Sequence, residues 1–261
     1  KFGLIRQNAL IGFSRFVGST LLKQFKFDSL YRSINIQEIE NKEFNLVVCA
    51  AAPAQKWRAN KEPENDRDKI RLLTKFLRTI KCQTFILIST VDVFKTPINV
   101  NESTSIKCND ADPYGYHRWL LEKFTDEYCP NNLIVRLPGL VGPGLRKNII
   151  FDFLNHNNLE MIESRSVFQF YPMVNLWYDI QIALQAKLKL IHLTASPISV
   201  SELSLQGFGK KFTQELTGVP VTYNLKTLYG KIYGAEGDYQ YSVGETIQAV
   251  RSYAQSEKVT L

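Results

Sequence analysis

The feature that most constrains this chain is an alternation in its first half: short apolar runs rich in β-branched residues take turns with longer stretches of helical period. "NALIGF" (8–13), "FNLVVCAAA" (44–52), "TFILIST" (84–90) and "NLIVRL" (132–137) predict strands; "VGSTLLKQF" (17–25), "NDRDKIRLLTKFLRTI" (65–80) and residues 113–128 predict helices. Strands separated by helices of this length pair in parallel and are covered on both faces, so the expected architecture is a doubly wound α/β sheet. Between Gly18 and Phe44 there is room for a helix, a short strand near "SLYRSI" and one more short helix or turn, less than a full set of units.

The second half is less regular. "RLPGLVGPGLRKN" (136–148) predicts a Pro- and Gly-rich loop, and "FQFYPMVNLWYDIQIALQAKL" (168–188) runs from aromatic strand into helix. "IHLTAS" (191–196) supplies a last strand, and Ser199 or Ser201 caps a following helix. The tail (233–255) ends in an amphipathic helix that closes a lobe or joins two subunits, so a homodimer stays open. Residues 1–150 are expected to form the core, and 151–261 a smaller lobe interleaved with its end.

With 261 residues, 44% of them hydrophobic and 22% charged, the composition is that of a water-soluble globular chain. No apolar run is long enough to cross a bilayer, and the start reads as too short and interrupted for a signal peptide, so no membrane association is expected. Cys49, Cys82, Cys108 and Cys129 stand singly, without histidines at ligand spacing, which predicts a reduced, cytoplasmic protein with no metal. The net charge of +7 is spread without a basic tract; it favours an anionic small ligand over nucleic acid.

"IGFSRFVGSTLL" carries Gly12 and Gly18 six apart between a strand and a helix, the setting of a dinucleotide-binding turn. The middle glycine of such a turn is Arg15 here. Either Arg15 adds a contact to a phosphate at the helix N-terminus, or it is forced into a glycine-only conformation and remodels the loop. After the second predicted strand stand Arg32, Ser33 and Asn35, with no carboxylate to hold a ribose 2′-hydroxyl; a cation there suits a 2′-phosphate, favouring NADP(H) over NAD(H).

In "DPYGYHRWLLEKF" Pro113 opens a helix, so Tyr114 and Arg118 lie one turn apart, and a cation close to a phenol lowers its pKa. Thr90 ends a strand where ligands of such sheets bind. Taken singly, Tyr114 also reads as a core edge, Thr90 as a strand end and Arg118 as a solvated helix residue. The five aromatics Phe168, Phe170, Tyr171, Trp177 and Tyr178 read as core or a dimer surface ahead of a base-stacking platform. His117, His156 and His192 are dispersed and carry no assigned role.

Through "IGFSRFVGSTLL", "VVCAAAP", "FILISTVDVF", "DPYGYHRWLLE" and "IVRLPGLVGPG" the chain resembles the extended short-chain dehydrogenase/reductase superfamily, in its nucleotide-sugar epimerase, dehydratase and reductase branch, over about the first 150 residues. The resemblance implies a Rossmann-like core, a small C-terminal substrate lobe and a nucleotide-sugar substrate. It places Gly12, Arg15 and Gly18 at the phosphate loop, Ala50, Ala51 and Pro53 on the adenine and ribose side, and Pro138 and Gly139 in the loop beside the nicotinamide. Thr90, Tyr114 and Arg118 match its catalytic Ser/Thr, Tyr and Lys positions. An arginine for the lysine keeps charge and donors while changing shape. Dehydratases of the branch carry an Asp-Glu pair after the threonine; Val91 and Asp92 stand here, which leaves single hydride transfer, as in 4-keto-sugar reduction, or hydride out and back, as in C4 epimerisation. Asp92 reads as an auxiliary acid or a carboxylate facing the substrate cleft. Asn148, with Arg146 and Lys147, reads as a contact to a diphosphate or as solvated loop. The rival expectation is a Rossmann-like binding or regulatory protein in which Arg15 and Arg118 record lost chemistry.

Overall fold

The computed structural model describes residues 7–107 and 111–257; Cys108 falls outside them. In chain order the elements are β1 (Gln7–Ile11), α1 (Phe16–Gln24), β2 (Ser29–Tyr31), β3 (Glu43–Cys49), α2 (Lys56–Lys61), α3 (Pro63–Leu77), β4 (Lys81–Thr90), β5 (Ile98–Val100), α4 (Pro113–Tyr128) and β6 (Asn132–Leu137). They continue with β7 (Gly139–Val141), α5 (Ile149–Asn155), β8 (Val167–Phe168), β9 (Phe170–Pro172), α6 (Leu176–Gln185), β10 (Leu190–His192), β11 (Ile198–Ser199), α7 (Val200–Phe208), β12 (Asn224–Leu225) and α8 (Val243–Ser256). No helix among the described residues is long and apolar enough to cross a membrane.

Two compact units share the chain. One takes Lys1–Lys95, Ser105–Arg136 and Trp177–Ile191; the other takes Thr96–Thr104, Leu137–Leu176 and His192–Leu261. The first unit holds a six-stranded parallel sheet in the order β10-β6-β4-β3-β1-β2. Its middle strands are buried on both faces: Val47, Val48 and Cys49 of β3 and Phe85, Ile86 and Leu87 of β4 are at most 1% exposed. Each large apolar side chain so covered contributes about 1.5–3 kcal/mol. α3 begins at Pro63 with Glu64 and Asp66 in its first turn, charges that suit a helix N-terminus, and presents Ile70, Leu73, Phe76 and Leu77 to the core.

β1 pairs in parallel with β2 on one side and β3 on the other, so the winding reverses at β1. A cleft opens at the carboxyl ends of strands where winding reverses, and this is where ligands of such sheets bind. Only β2 and the short helical turn Ile36–Ile39 fill the stretch before β3, so a single strand lies beyond β1.

The second unit is built from three two-stranded ladders, β5 with β12, β7 with β9 and β8 with β11, packed with α5, α7 and α8. The buried Gln169 joins its strands: Nε2 donates to Ala195 O and Leu225 O, and Oε1 accepts from Leu225 N–H. Ser199 caps α7, and Ser242 with Glu245 forms a reciprocal cap on α8. The Pro- and Gly-rich segment, expected as loop, contains β7. Pro138 has no N–H to give a ladder, and pairing starts at Gly139, where a Cβ would lie 2.5 Å from Gln169 O; only glycine lets β9's chain come that close. Phe170 and Tyr171 are buried in this unit, Trp177 packs on Phe25 in the first at 4.3 Å, and Tyr178 is exposed.

Candidate active site

The turn after β1 is glycine-dependent at both ends. Gly12 has φ +90°, and a Cβ on it would lie 2.5 Å from Ala50 O; a Cβ on Gly18 would lie 2.1 Å from Gly12 O. The first allows the tight turn and the second lets α1 pack directly upon it. Arg15, by contrast, sits at φ −93°, ψ 165°, an extended conformation open to any residue, so the loop is not remodelled by the missing middle glycine. Arg15 is the N-cap of α1 and its side chain caps nothing, which leaves the positive end of the helix to an anion.

A cavity of about 280 Å³ opens beside the turn, lined among others by Gly12, Arg15, Arg32, Ser33, Ala51, Pro53 and Lys69. Arg32, at the end of β2, lies 5.7 Å from the Phe13 ring centre. Three cations and no carboxylate line this space among the described residues. A cradle that a Cβ would fill, an uncapped helix end and a cationic wall fit a dinucleotide. Ala50 stays beneath, 8% exposed, its N–H donating to Ile11 O.

Thr90 ends β4. Its hydroxyl accepts the Asp92 N–H at 3.1 Å and donates to Asp92 Oδ2 at 3.3 Å, while Asp92 Oδ1 takes the Lys56 ammonium at 2.7 Å. Next to this cluster stands the first turn of α4. A Cβ on Gly115 would lie 2.0 Å from Asp92 O, so helix and strand end touch backbone to backbone. Gly115→Ala is therefore expected to destabilise the protein by about 1–3 kcal/mol through overpacking. A chemical denaturation curve with an unchanged midpoint would contradict this contact.

Tyr114 is buried, with the Arg118 guanidinium 3.9 Å from its ring centre. The guanidinium is itself 2% exposed, and its two terminal nitrogens donate to both carboxylate oxygens of Asp66 and to the carbonyls of Pro53 and Tyr114, while its buried Nε meets no partner among the described residues. His117 Nδ1 meets the same Asp66 carboxylate at 2.7 Å. Burial alone raises the Asp66 pKa, yet the hydrogen bonds from Arg118 and His117 outweigh it and hold it below the ordinary range. The expected acidic tyrosine is not found. Burial pushes the Tyr114 phenol above its usual value, and Arg118, neutralised by Asp66, offsets only part of that.

A second buried pair fixes α4 one turn further on. Arg136 of β6 donates from Nε and Nη2 to Glu122 at 2.9 and 2.7 Å. The two pairs tie α4 to α3 and to β6, and so set where Tyr114 points.

Thus the first unit brings together Gly12, Arg15, Arg32, Ala51 and Pro53 at the cavity, with Gly18 and Ala50 packed behind the turn, and Thr90, Asp92, Tyr114 and Arg118 at the strand end. Pro138 and Asn148 belong to the second unit. Pro138 is buried. The Asn148 side chain caps α5, accepting from Ile150 and Phe151 N–H and donating to Leu140 O. Sequence reading missed Lys56, Asp66 and Lys69. For Asp66 a signal existed: it occupies the position that continues the Ile70, Leu73, Leu77 stripe of α3, and a carboxylate on an apolar stripe requires a buried partner. Lys56 and Lys69 carried none.

A parallel sheet reversing at β1, with its glycine turn at that point, defines a Rossmann-like protein. The model of the NAD dependent epimerase/dehydratase family matches residues 11–163, more than half of the chain, and the chain belongs to that family. No curated protein matches the sequence. Among solved structures it is similar to dTDP-4-dehydrorhamnose reductase from Yersinia enterocolitica (TM-score 0.72, 15% identity, covering 96% of this chain and 99% of that one). It is similar also to UDP-glucose 4-epimerase from Thermotoga maritima with UDP-glucose (TM-score 0.70, 14% identity, 95% and 97% covered). A third is UDP-glucuronic acid 4-epimerase from Bacillus cereus, in complex with a fluorinated UDP-sugar and NAD (TM-score 0.67, 14% identity, 95% and 98% covered). At these identities what is shared is the fold.

Proposed function

We propose that the protein is a cytoplasmic NAD(P)-dependent oxidoreductase or epimerase acting on a nucleotide-linked sugar, by 4-keto reduction or C4 epimerisation, in polysaccharide or glycoconjugate synthesis. The observation that carries this reading is the seating of Gly115 on Asp92 O, which sets the Tyr114 helix start against the end of the Thr90 strand. Membership of the epimerase/dehydratase family supports it, as does the likeness to nucleotide-sugar enzymes. The rival reading as a decayed site drew on Arg15 and Arg118; the ordinary backbone at Arg15 speaks against the first of these grounds.

In the proposed reaction Tyr114 exchanges a proton with the reacting sugar oxygen and Thr90 hydrogen-bonds that oxygen. A bound nicotinamide would supply or accept the hydride. Gly12, the end of α1 and Arg15 would hold its pyrophosphate, and the second unit would serve as the substrate lobe. Arg32, supported by Arg15 and Lys69 across the cavity, favours NADP(H), since guanidinium and ammonium groups match a 2′-phosphate and no carboxylate is there to take a 2′-hydroxyl.

Titration with NAD, NADH, NADP and NADPH, followed by thermal shift and nicotinamide fluorescence, tests the reading. NADPH is expected to bind most tightly, and Arg32→Ala to weaken it about 10- to 100-fold with little effect on NADH, as for loss of one charge-assisted hydrogen bond. No saturable binding of any of the four would refute the enzyme reading. An equal loss for NADH and NADPH would refute the assignment of Arg32 to the 2′-phosphate.

A further inference from the structure

The cation that the short-chain dehydrogenase resemblance assigns to Tyr114 is Arg118, and its position argues against a mobile role. It lies on the face of the ring, is 2% exposed, and its two terminal nitrogens are engaged by Asp66, Pro53 O and Tyr114 O. Such a charge cannot follow a proton as it leaves the phenol.

The other cation near the strand end is Lys56, at the start of α2. Its side chain is 42% exposed and ends on Asp92 Oδ1 at 2.7 Å. Asp92 in turn receives the Thr90 hydroxyl proton on Oδ2 and gives its N–H to the same hydroxyl oxygen, so the direction of that hydroxyl is set by Asp92. The Asp92 carbonyl supports Gly115, the residue after Tyr114. Among the described residues, the charges whose fields act on the phenol are Arg118 on α4, Asp92 after β4, Asp66 on α3 and Lys56 on α2. They form two ion pairs, of which Asp66 with Arg118 is locked in the interior and Lys56 with Asp92 is open to solvent.

We propose that Lys56 and Asp92 are a positioning pair for Tyr114 and Thr90: Lys56 holds the Asp92 carboxylate, Asp92 aims the Thr90 hydroxyl, and the ammonium is the adjustable counter-charge to the phenol. A flexible ammonium with three donors suits that part better than a fixed guanidinium. The pair rests on the enzyme reading where it takes Tyr114 as the acid/base, but its electrostatic effect is measurable without cofactor, substrate or turnover.

The test places 3,5-difluorotyrosine at position 114 and follows its fluorine NMR shift against pH, which singles out one phenol and moves its titration toward neutral pH. In the Lys56→Met background the midpoint is expected to rise by about half a pH unit or more, since a nearby positive charge favours the phenolate. Lys56→Arg is expected to keep it close to the parent value, and Asp92→Asn to lower it. An unmoved midpoint in Lys56→Met, or the same shift in Lys56→Met and Lys56→Arg, overturns the proposal. The expected shifts in a protein that binds none of the four nicotinamide nucleotides would uphold the pair while refuting the enzyme reading.

Discussion

Asp66→Asn is expected to lower the unfolding free energy by about 3–5 kcal/mol, the magnitude found when one partner of a buried ion pair is removed and the other is left uncompensated. Asp66 is 4% exposed and Arg118 2%, so water cannot take over from the lost carboxylate. The amide keeps the shape of the side chain, and the loss therefore reports charge. Urea denaturation measures it as a lower midpoint at an unchanged slope. Replacing both partners, Asp66→Asn with Arg118→Met, is expected to recover part of the stability, because no unpaired charge remains inside. A loss below about 1 kcal/mol in the single variant would mean that the pair does not hold α4 to α3.

The same group predicts a pH dependence. The folded-state pKa of Asp66 is lowered, so between its folded and unfolded values the unfolded chain binds the extra proton. Its stabilisation is complete above the ordinary carboxylate pKa of about 3.9 and is lost as pH falls through the lower folded value. The stability difference between the parent and Asp66→Asn should accordingly be constant near neutrality and shrink in strong acid.

Tyr114→Phe is expected to reduce turnover by about 10²- to 10⁴-fold while leaving NADPH affinity and the denaturation midpoint nearly unchanged. The variant removes one oxygen from a ring that would still pack against Arg118, so a fall in stability is not expected. Retained turnover would refute the acid/base role. Because burial raises the Tyr114 pKa, the group is a phenol throughout the neutral range. Ketone reduction, which needs the proton, should be flat there and decline only above about pH 10, whereas sugar oxidation, which needs the phenolate, should rise with pH.

The parts of the fold that were legible had strong local punctuation. α4 and β6 occupy residues 113–128 and 132–137 as read, because Pro113 starts the helix and a continuous apolar run makes the strand. The glycine turn was legible because Gly12 and Gly18 meet backbone that leaves no room for a Cβ. α2 escaped notice: "KWRANK" has one buried residue, Ala59, and thus no apolar stripe. β7 hid in a segment whose Pro and Gly content argued for loop, and only the approach of β9 makes it a strand.

By itself the sequence determined the parallel sheet and the turn after β1, since periodicity and spacing are local and survive without knowledge of what packs where; Thr90, Tyr114 and Arg118 were nominated by the resemblance of their motifs to the short-chain dehydrogenase/reductase pattern. Tertiary structure alone decided what those residues feel. Arg118 is four positions from Tyr114, but the direction of the phenol's pKa follows from burial and, after it, from Asp92 and from Asp66, which is 52 positions away from Arg118 and reaches it only because α3 packs on α4. Likewise Lys56 and Asp92, 36 positions apart, meet through the arrangement of α2 beside the end of β4. Electrostatic energy depends on distance and solvent access, and both are set by how the helices lie on the sheet.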